Sequence, residues 1–161
     1  MIRKATLADT STLLEIYNYY VIHTTVTFDE SALSLSAFTE KLELILKDYP
    51  CIVFEDNNEI LGFAYGSKFR PKPAYNYTVE STVYVKNGAH GKQIGSKLYT
   101  ELLEQLKQRN FKSVLGVLTI PNPASVKLHE KFGFTQVAHL KEVGFKFDTW
   151  LDVGIFQLKI N

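Results

Sequence analysis

Cysteine is nearly absent from this chain of 161 residues, where Cys51 stands alone. A single thiol excludes an internal disulfide and a cysteine-built metal cluster, and it suits a reducing compartment. Cys51 lies in the apolar run Cys51-Ile52-Val53-Phe54, surroundings that favour a buried structural thiol over a nucleophile. Net charge is scarce too: 18 basic and 17 acidic residues leave a formal charge of +1. That balance argues against broad electrostatic attraction to nucleic acid or to an anionic membrane. No apolar run approaches the length of a membrane span, and Met1-Ile2-Arg3-Lys4-Ala5 has no signal core, so a cytoplasmic protein is expected. Repeats, linkers and low-complexity tracts are missing. With 45% hydrophobic and 22% charged residues, the sequence describes one globular domain over residues 1–161, with a core of its own.

What the chain does have is concentrated between Val83 and Tyr99. Val83-Tyr84-Val85-Lys86 reads as a strand, Asn87 to Gly95 as a Gly-containing turn, and the residues from about Ser96 as a helix. Ile94, Leu98, Leu102 and Leu106 recur every four residues, with Tyr99 and Leu103 beside them, and Asn110 suits a left-handed stop. A strand that runs through such a loop into a helix gathers unpaired N–H groups and the positive end of the helix dipole at one spot. An anion, most often a phosphate, fits there. An ordinary strand-to-helix connection fits equally well from spacing alone. A Walker-type loop is excluded because Gly95 is followed by Ser96-Lys97, and the dinucleotide Gly-x-Gly-x-x-Gly pattern is missing.

Taken in order, Ile2 to Ala5 suggests a short strand. Thr6-Leu7-Ala8-Asp9 resembles a capping box for a helix whose inner face is Leu13, Ile16, Tyr17 and Tyr20. Residues 23–35 show neither period and predict a loop. Phe38, Leu42, Ile45 and Leu46 mark a second helix that ends before Pro50. Cys51 to Glu55 and Ile60 to Gly66 are strands joined by the turn at Asp56-Asn57-Asn58-Glu59. Phe69 to Tyr77 is a rigid, basic and aromatic loop, suited either to substrate contacts or to a plain crossing of the sheet edge.

In the strand Thr78 to Val85, alternation separates Val79, Ser81, Val83 and Val85 from Thr78, Glu80, Thr82 and Tyr84. Strand interiors are depleted in glutamate, so Glu80 is either an edge-strand residue facing water or a functional carboxylate. Ser113 to Leu118 is another strand, and Asn122-Pro123 starts a helix that Gly133 ends. His129 in that helix is, taken alone, a packed or solvated residue. Phe134 to Leu140 and Trp150 to Leu158 complete the strands, linked by a turn over Val143 to Asp148. The order β-α-α-β-β-β-α-β-α-β-β predicts a mixed α/β (α+β) domain, a sheet with helices packed on its faces.

This order, the loop before Ser96, and Asn-x-x-Ser-x-x-x-Leu-His-Glu-Lys-Phe-Gly-Phe from Asn122 to Phe134 together resemble the GNAT superfamily of N-acetyltransferases. Tyr77-Thr78-Val79-Glu80-Ser81, Leu128-His129-Glu130 and the run from Gly144 to Asp152 resemble its phosphinothricin and methionine sulfoximine acetyltransferase family. The resemblance implies a twisted, mostly antiparallel sheet of about seven strands flanked by about four helices, with acetyl-CoA as cosubstrate. It implies that Gly91, Lys92, Gln93, Ile94, Gly95 and Ser96 cradle the pyrophosphate, that the strand Val83-Tyr84-Val85 and Asn122 hold the pantetheine arm, and that Glu80 is the general base. His129 falls where many such enzymes carry a tyrosine acid.

By the same resemblance, Arg70 and Lys146 hold an acidic group of a small amino-acid-like amine, in a pocket shaped by Phe28, Tyr75 and Tyr77. A homodimer is implied as well. No metal, nucleic acid or membrane partner is expected. The loop departs from the usual pattern in having His90 and Gln93, which predicts weakened acetyl-CoA binding that Lys92 and Lys97 offset. Protein acetylation, which needs an open groove, and a non-catalytic acyl-CoA-binding module are the competing readings.

Overall fold

A computed structural model describes residues 1–161. The elements follow the expected order: β1 (Ile2–Lys4), α1 (Thr10–His23), α2 (Leu35–Asp48), β2 (Cys51–Asp56), β3 (Glu59–Lys68), β4 (Thr78–Val85), α3 (Ile94–Gln108), β5 (Ser113–Ile120), α4 (Pro123–Lys131), β6 (Thr135–Lys146) and β7 (Thr149–Lys159). A single sheet runs β1-β2-β3-β4-β5-β7-β6, antiparallel throughout except for β4 against β5. Because β4 is central, the edge-strand account of Glu80 does not hold.

Two hydrophobic clusters sandwich the sheet. One packs Leu13, Ile16, Tyr17 and Val21 of α1 and Phe38, Leu42 and Ile45 of α2 against Val53, Phe63, Tyr65 and Tyr84. The other packs Ile94, Leu98, Tyr99, Leu102 and Leu106 of α3 against Ile52, Val79, Val114 and Phe156. Each helix buries the stripe that its four-residue period marks, and burial at roughly 25 cal/mol per Å² of apolar surface makes these stripes the main source of stability. Cys51 is fully buried and its thiol is pushed up to about 12, which is the structural reading.

Two details differ from expectation. First, α3 starts at Ile94, and Gln93 before it is left-handed at φ 58°. Second, Val143 to Lys146 is strand and not turn. Gly144 pairs with Leu151 and Phe145 with Trp150, their rings 5.0 Å apart, so only Phe147 and Asp148 form the hairpin loop. Both have φ near 50°, the two-residue loop that matches strand twist. Gly144 is glycine for a different reason: a Cβ there would lie 2.3 Å from the ring of Phe28.

Gly116 on β5 is under the same kind of constraint, since a Cβ would lie 2.3 Å from Nε2 of His129. That ring is wedged among Tyr99, Phe134 and Phe156 and cannot retreat. Gly116→Ala is expected to lower unfolding free energy by about 1–3 kcal/mol in denaturant titrations, the usual range for overpacking; an unchanged midpoint would show that the ring can move.

Candidate active site

The central feature is a fork in the sheet. Strands β4 and β5 pair only through Thr78↔Ser113, Val79↔Val114 and Glu80↔Leu115; beyond that, β4 continues against β3 and β5 against β7. A cavity of about 850 Å³ occupies the gap and is lined by residues from both faces of the sheet. Lys86 N–H donates to Leu61 across β3, so alternation along β4 points the N–H and C=O of Val83 and Val85 away from β3, into the gap. The Val85 carbonyl is already taken by the Tyr20 hydroxyl at 2.5 Å, which leaves the Val85 N–H and both groups of Val83 for an added strand-like ligand. Tyr84 borders the cavity but turns its backbone toward β3 and its ring into the aromatic cluster with Tyr17 and Phe63, so it offers no free backbone group.

The loop after β4 is built to expose N–H groups. Ala89 is buried and anchors it, while Gly88 and Gly91 at φ 84° and Gln93 at φ 58° turn the chain sharply into α3. Gln93 makes no side-chain cap, so the first-turn N–H groups of Ile94, Gly95 and Ser96 have no partner there, and they sit at the positive end of a 15-residue helix. Ile94 contributes only its backbone, since its side chain is core. Of the two compensating lysines, Lys92 is exposed in the loop, but Lys97 lies over the Phe54 ring, 5.3 Å from its centroid, on the β2 side. A cation that sequence reasoning missed takes its place: Lys131, at the end of α4, donates to Ser96 Oγ at 3.0 Å. Asn122 caps α4 through Oδ1, accepting from Ser125 N–H at 3.2 Å, and lines the cavity with its amide. These donors fit the diphosphate and amide-rich arm of acetyl-CoA.

Glu80 is the last β4 residue paired to β5, so its carboxyl stands at the vertex of the fork and lines the cavity. Burial raises it above the ordinary carboxylate range, with no cation holding it down. Below the fork runs a hydrogen-bonded chain. His129 Nδ1 lies 2.7 Å from the carbonyl of Ser125, which can only accept, so Nδ1 carries the proton. Nε2 is then the acceptor for the Tyr99 hydroxyl at 2.8 Å, and Tyr99 meets Ser81 Oγ at 2.6 Å. Burial lowers the pKa of His129, favouring this neutral form. The direct acid role assigned to His129 is corrected accordingly: the ring has no N–H aimed at the cavity, and it positions Tyr99.

Residues 24–34, which reach the cavity through Val26, Thr27 and Phe28, have no regular structure but many ties. Thr119 donates to the Thr25 carbonyl at 2.6 Å, Asn18 exchanges two bonds with Leu33, and Tyr17 bonds both Thr27 and Asp29. Phe28 seats on Gly144 and lines the cavity as expected. Lys146 does not. It is almost fully buried and donates to the carbonyls of Val21 and Thr27 at 2.7 and 2.9 Å, so it pins the loop and is no substrate ligand. Arg70, Tyr75 and Tyr77 also lie outside the cavity lining: Arg70 is exposed over the Phe69 and Tyr75 rings, and Tyr77 is exposed. The aromatic walls are instead Tyr17, Tyr49, Tyr65 and Tyr84. Their spacing marks them as inward-facing, but nothing in the spacing separates a cavity wall from core.

The left-handed backbone of Gln93 costs an L-residue about 1 kcal/mol, and its Cβ stands where the backbone must approach an anion. Gln93→Gly is expected to tighten acetyl-CoA binding severalfold in titration calorimetry, and an equal or weaker Kd would refute that role for the side chain.

Residues 2–155 match the acetyltransferase (GNAT) domain family. The chain is 38% identical to a phosphinothricin N-acetyltransferase of Streptomyces viridochromogenes, over 97% of its length and 85% of the relative's. It is 33% identical to an L-methionine sulfoximine/L-methionine sulfone acetyltransferase of Salmonella typhimurium, over 99% and 94%. A Salmonella typhimurium acetyltransferase solved with its cofactor acetyl-CoA superposes with a TM-score of 0.96 at 33% identity, covering all of this chain and 94% of that one. Since the match runs nearly from end to end in both sequence and structure, the chain belongs to the GNAT family and is an acetyl-CoA-dependent N-acetyltransferase.

Proposed function

We propose that the enzyme acetylates the amino group of a small amino-acid-like substrate of the methionine sulfone, methionine sulfoximine or phosphinothricin type, with Glu80 as general base. The carrying observation is the position of Glu80: a half-buried carboxyl at the vertex of the fork, lining the cavity together with Tyr17, Phe28 and Tyr65. These aromatic walls suit a small acceptor, whereas a peptide needs an open groove.

Acetyl-CoA supplies an acetyl group activated as a thioester. The amine must attack in its neutral form, and an α-amino group of pKa ~8 is mostly protonated at neutral pH. Glu80, its basicity raised by burial, accepts the proton that the amine gives up. The Val83 N–H, directed into the gap, is the donor for the oxygen on which negative charge develops. Tyr99 and Ser81 wall the cavity, with their hydroxyl protons engaged in the chain that ends at His129. Thiols ionise near ~8.5, so the coenzyme leaves as a thiolate and takes its proton from solvent.

Release of free CoA with L-methionine sulfone, L-methionine sulfoximine, phosphinothricin, ordinary amino acids, polyamines and a short peptide tests the reading. Turnover confined to the amino-acid-like group is expected; turnover of the peptide alone would replace the small acceptor by a protein one.

Glu80 gives a second test. Its folded pKa is raised, so the unfolded chain loses this proton first, and stability falls as pH rises through the raised value. Glu80→Gln is therefore expected to lower kcat by about 100-fold or more while acetyl-CoA binding holds and the melting temperature at pH 8 is no lower than wild type. Wild-type turnover in this variant would remove Glu80 from the mechanism.

A further inference from the structure

Helix α2 carries a charge on its buried face. Phe38, Leu42 and Ile45 form the stripe that packs on the sheet, and Lys41 falls inside it, three residues after Phe38 and four before Ile45. Its Nζ lies 4.6 Å from the centroid of the Tyr17 ring, and the side chain lines the cavity together with Tyr17, Phe28, Tyr65 and Glu80. Lysines on such helices usually run their stems outward and leave the ammonium in water. Lys41 instead turns inward and is half-buried.

No anion of the protein meets it. The ion pairs of the chain use Arg3, Lys86 and His139, and the Lys41 ammonium makes no hydrogen bond to the protein. Asp29, the one carboxylate whose charge supports it, is bonded to the Tyr17 hydroxyl. A partly desolvated cation without a hydrogen-bonded partner is costly to keep, and here it is offset only by the face of Tyr17 and the charge of Asp29. The other cations near the acceptor end are differently placed: Lys146 is engaged by two carbonyls and does not line the cavity, Arg70 lies outside it, and Lys68 is exposed at its rim.

Lys41 and Glu80 form no ion pair with each other, yet both line the same cavity. An α-amino acid presents an amine and a carboxylate a few ångströms apart, and the two groups of the cavity match them in chemistry: a base for the first and an ammonium for the second. We propose that Lys41 is the specificity-determining residue that holds the carboxylate of the acceptor, in place of Lys146. This rests on the amino-acid reading of the site.

The test compares L-methionine sulfone with its α-carboxamide at saturating acetyl-CoA, in wild type, Lys41→Met, Lys41→Gln and Lys41→Arg, with thermal unfolding confirming that each assayed chain is folded. A charged hydrogen bond contributes about 1.5–3 kcal/mol, so loss of the ammonium should raise KM for the acid roughly 10- to 100-fold. KM for acetyl-CoA and the kinetics of the amide should stay as in wild type, and arginine should recover most of the loss. Equal losses for acid and amide, or an unchanged KM for the acid, would overturn the assignment and leave the acceptor reading intact. If wild type turns over no amino acid at all, the acceptor reading fails and the role of Lys41 fails with it.

Discussion

Everything at the site depends on the separation of β4 from β5 after Glu80 and Leu115. Two neighbouring strands that part inside a sheet leave backbone donors and acceptors without partners, which a fold tolerates only where water or a ligand restores them. Here each strand keeps its other neighbour, β3 or β7, so the sheet stays intact around the gap. The opening is held from both sides: α1 and α2 brace the β3–β4 side, α3 braces it from the opposite face, and β6 and β7 form a long hairpin behind β5. The pair Gly116 and His129 shows how tightly the lower wall is fitted, since only a residue without a side chain leaves room for the ring.

The order of elements was legible because each period is strong: four-residue stripes in α2 and α3, alternation in β4, and a clear turn at Asn57-Asn58. The cofactor half of the site offered a contiguous pattern to read, since its candidate donors are backbone groups of one strand, loop and helix start. The acceptor half did not. Its walls come from α1, residues 24–34, α2 and β3, and no local pattern says which of several inward-facing aromatics borders a cavity. Lys146 illustrates the difficulty. In sequence it is an exposed-looking lysine beside Phe147, while in space it spans to Val21 and Thr27, more than a hundred residues away. Lys41 was legible in principle, as a charge on an apolar stripe, but its meaning needed the cavity.

Three buried or half-buried charges thus share one region under different conditions. Lys146 is satisfied by carbonyls and fixes a loop, Glu80 is unpaired and made basic by burial, and Lys41 is unpaired beside an aromatic face. Paired charges build the frame, and the unpaired ones face the space where a substrate would bring the missing partners.

Residues 24–34 lack helix and strand, yet are tied by side chains to α1, β5 and β6. Such a segment takes part in no strand register, so what holds its sequence in place is the fit of single side chains, Phe28 on Gly144 and Lys146 on the Thr27 carbonyl. The two ends of the polypeptide therefore build one wall together. Altering which amine is modified calls for matched changes in the loop and in the β6 residues on which it is seated.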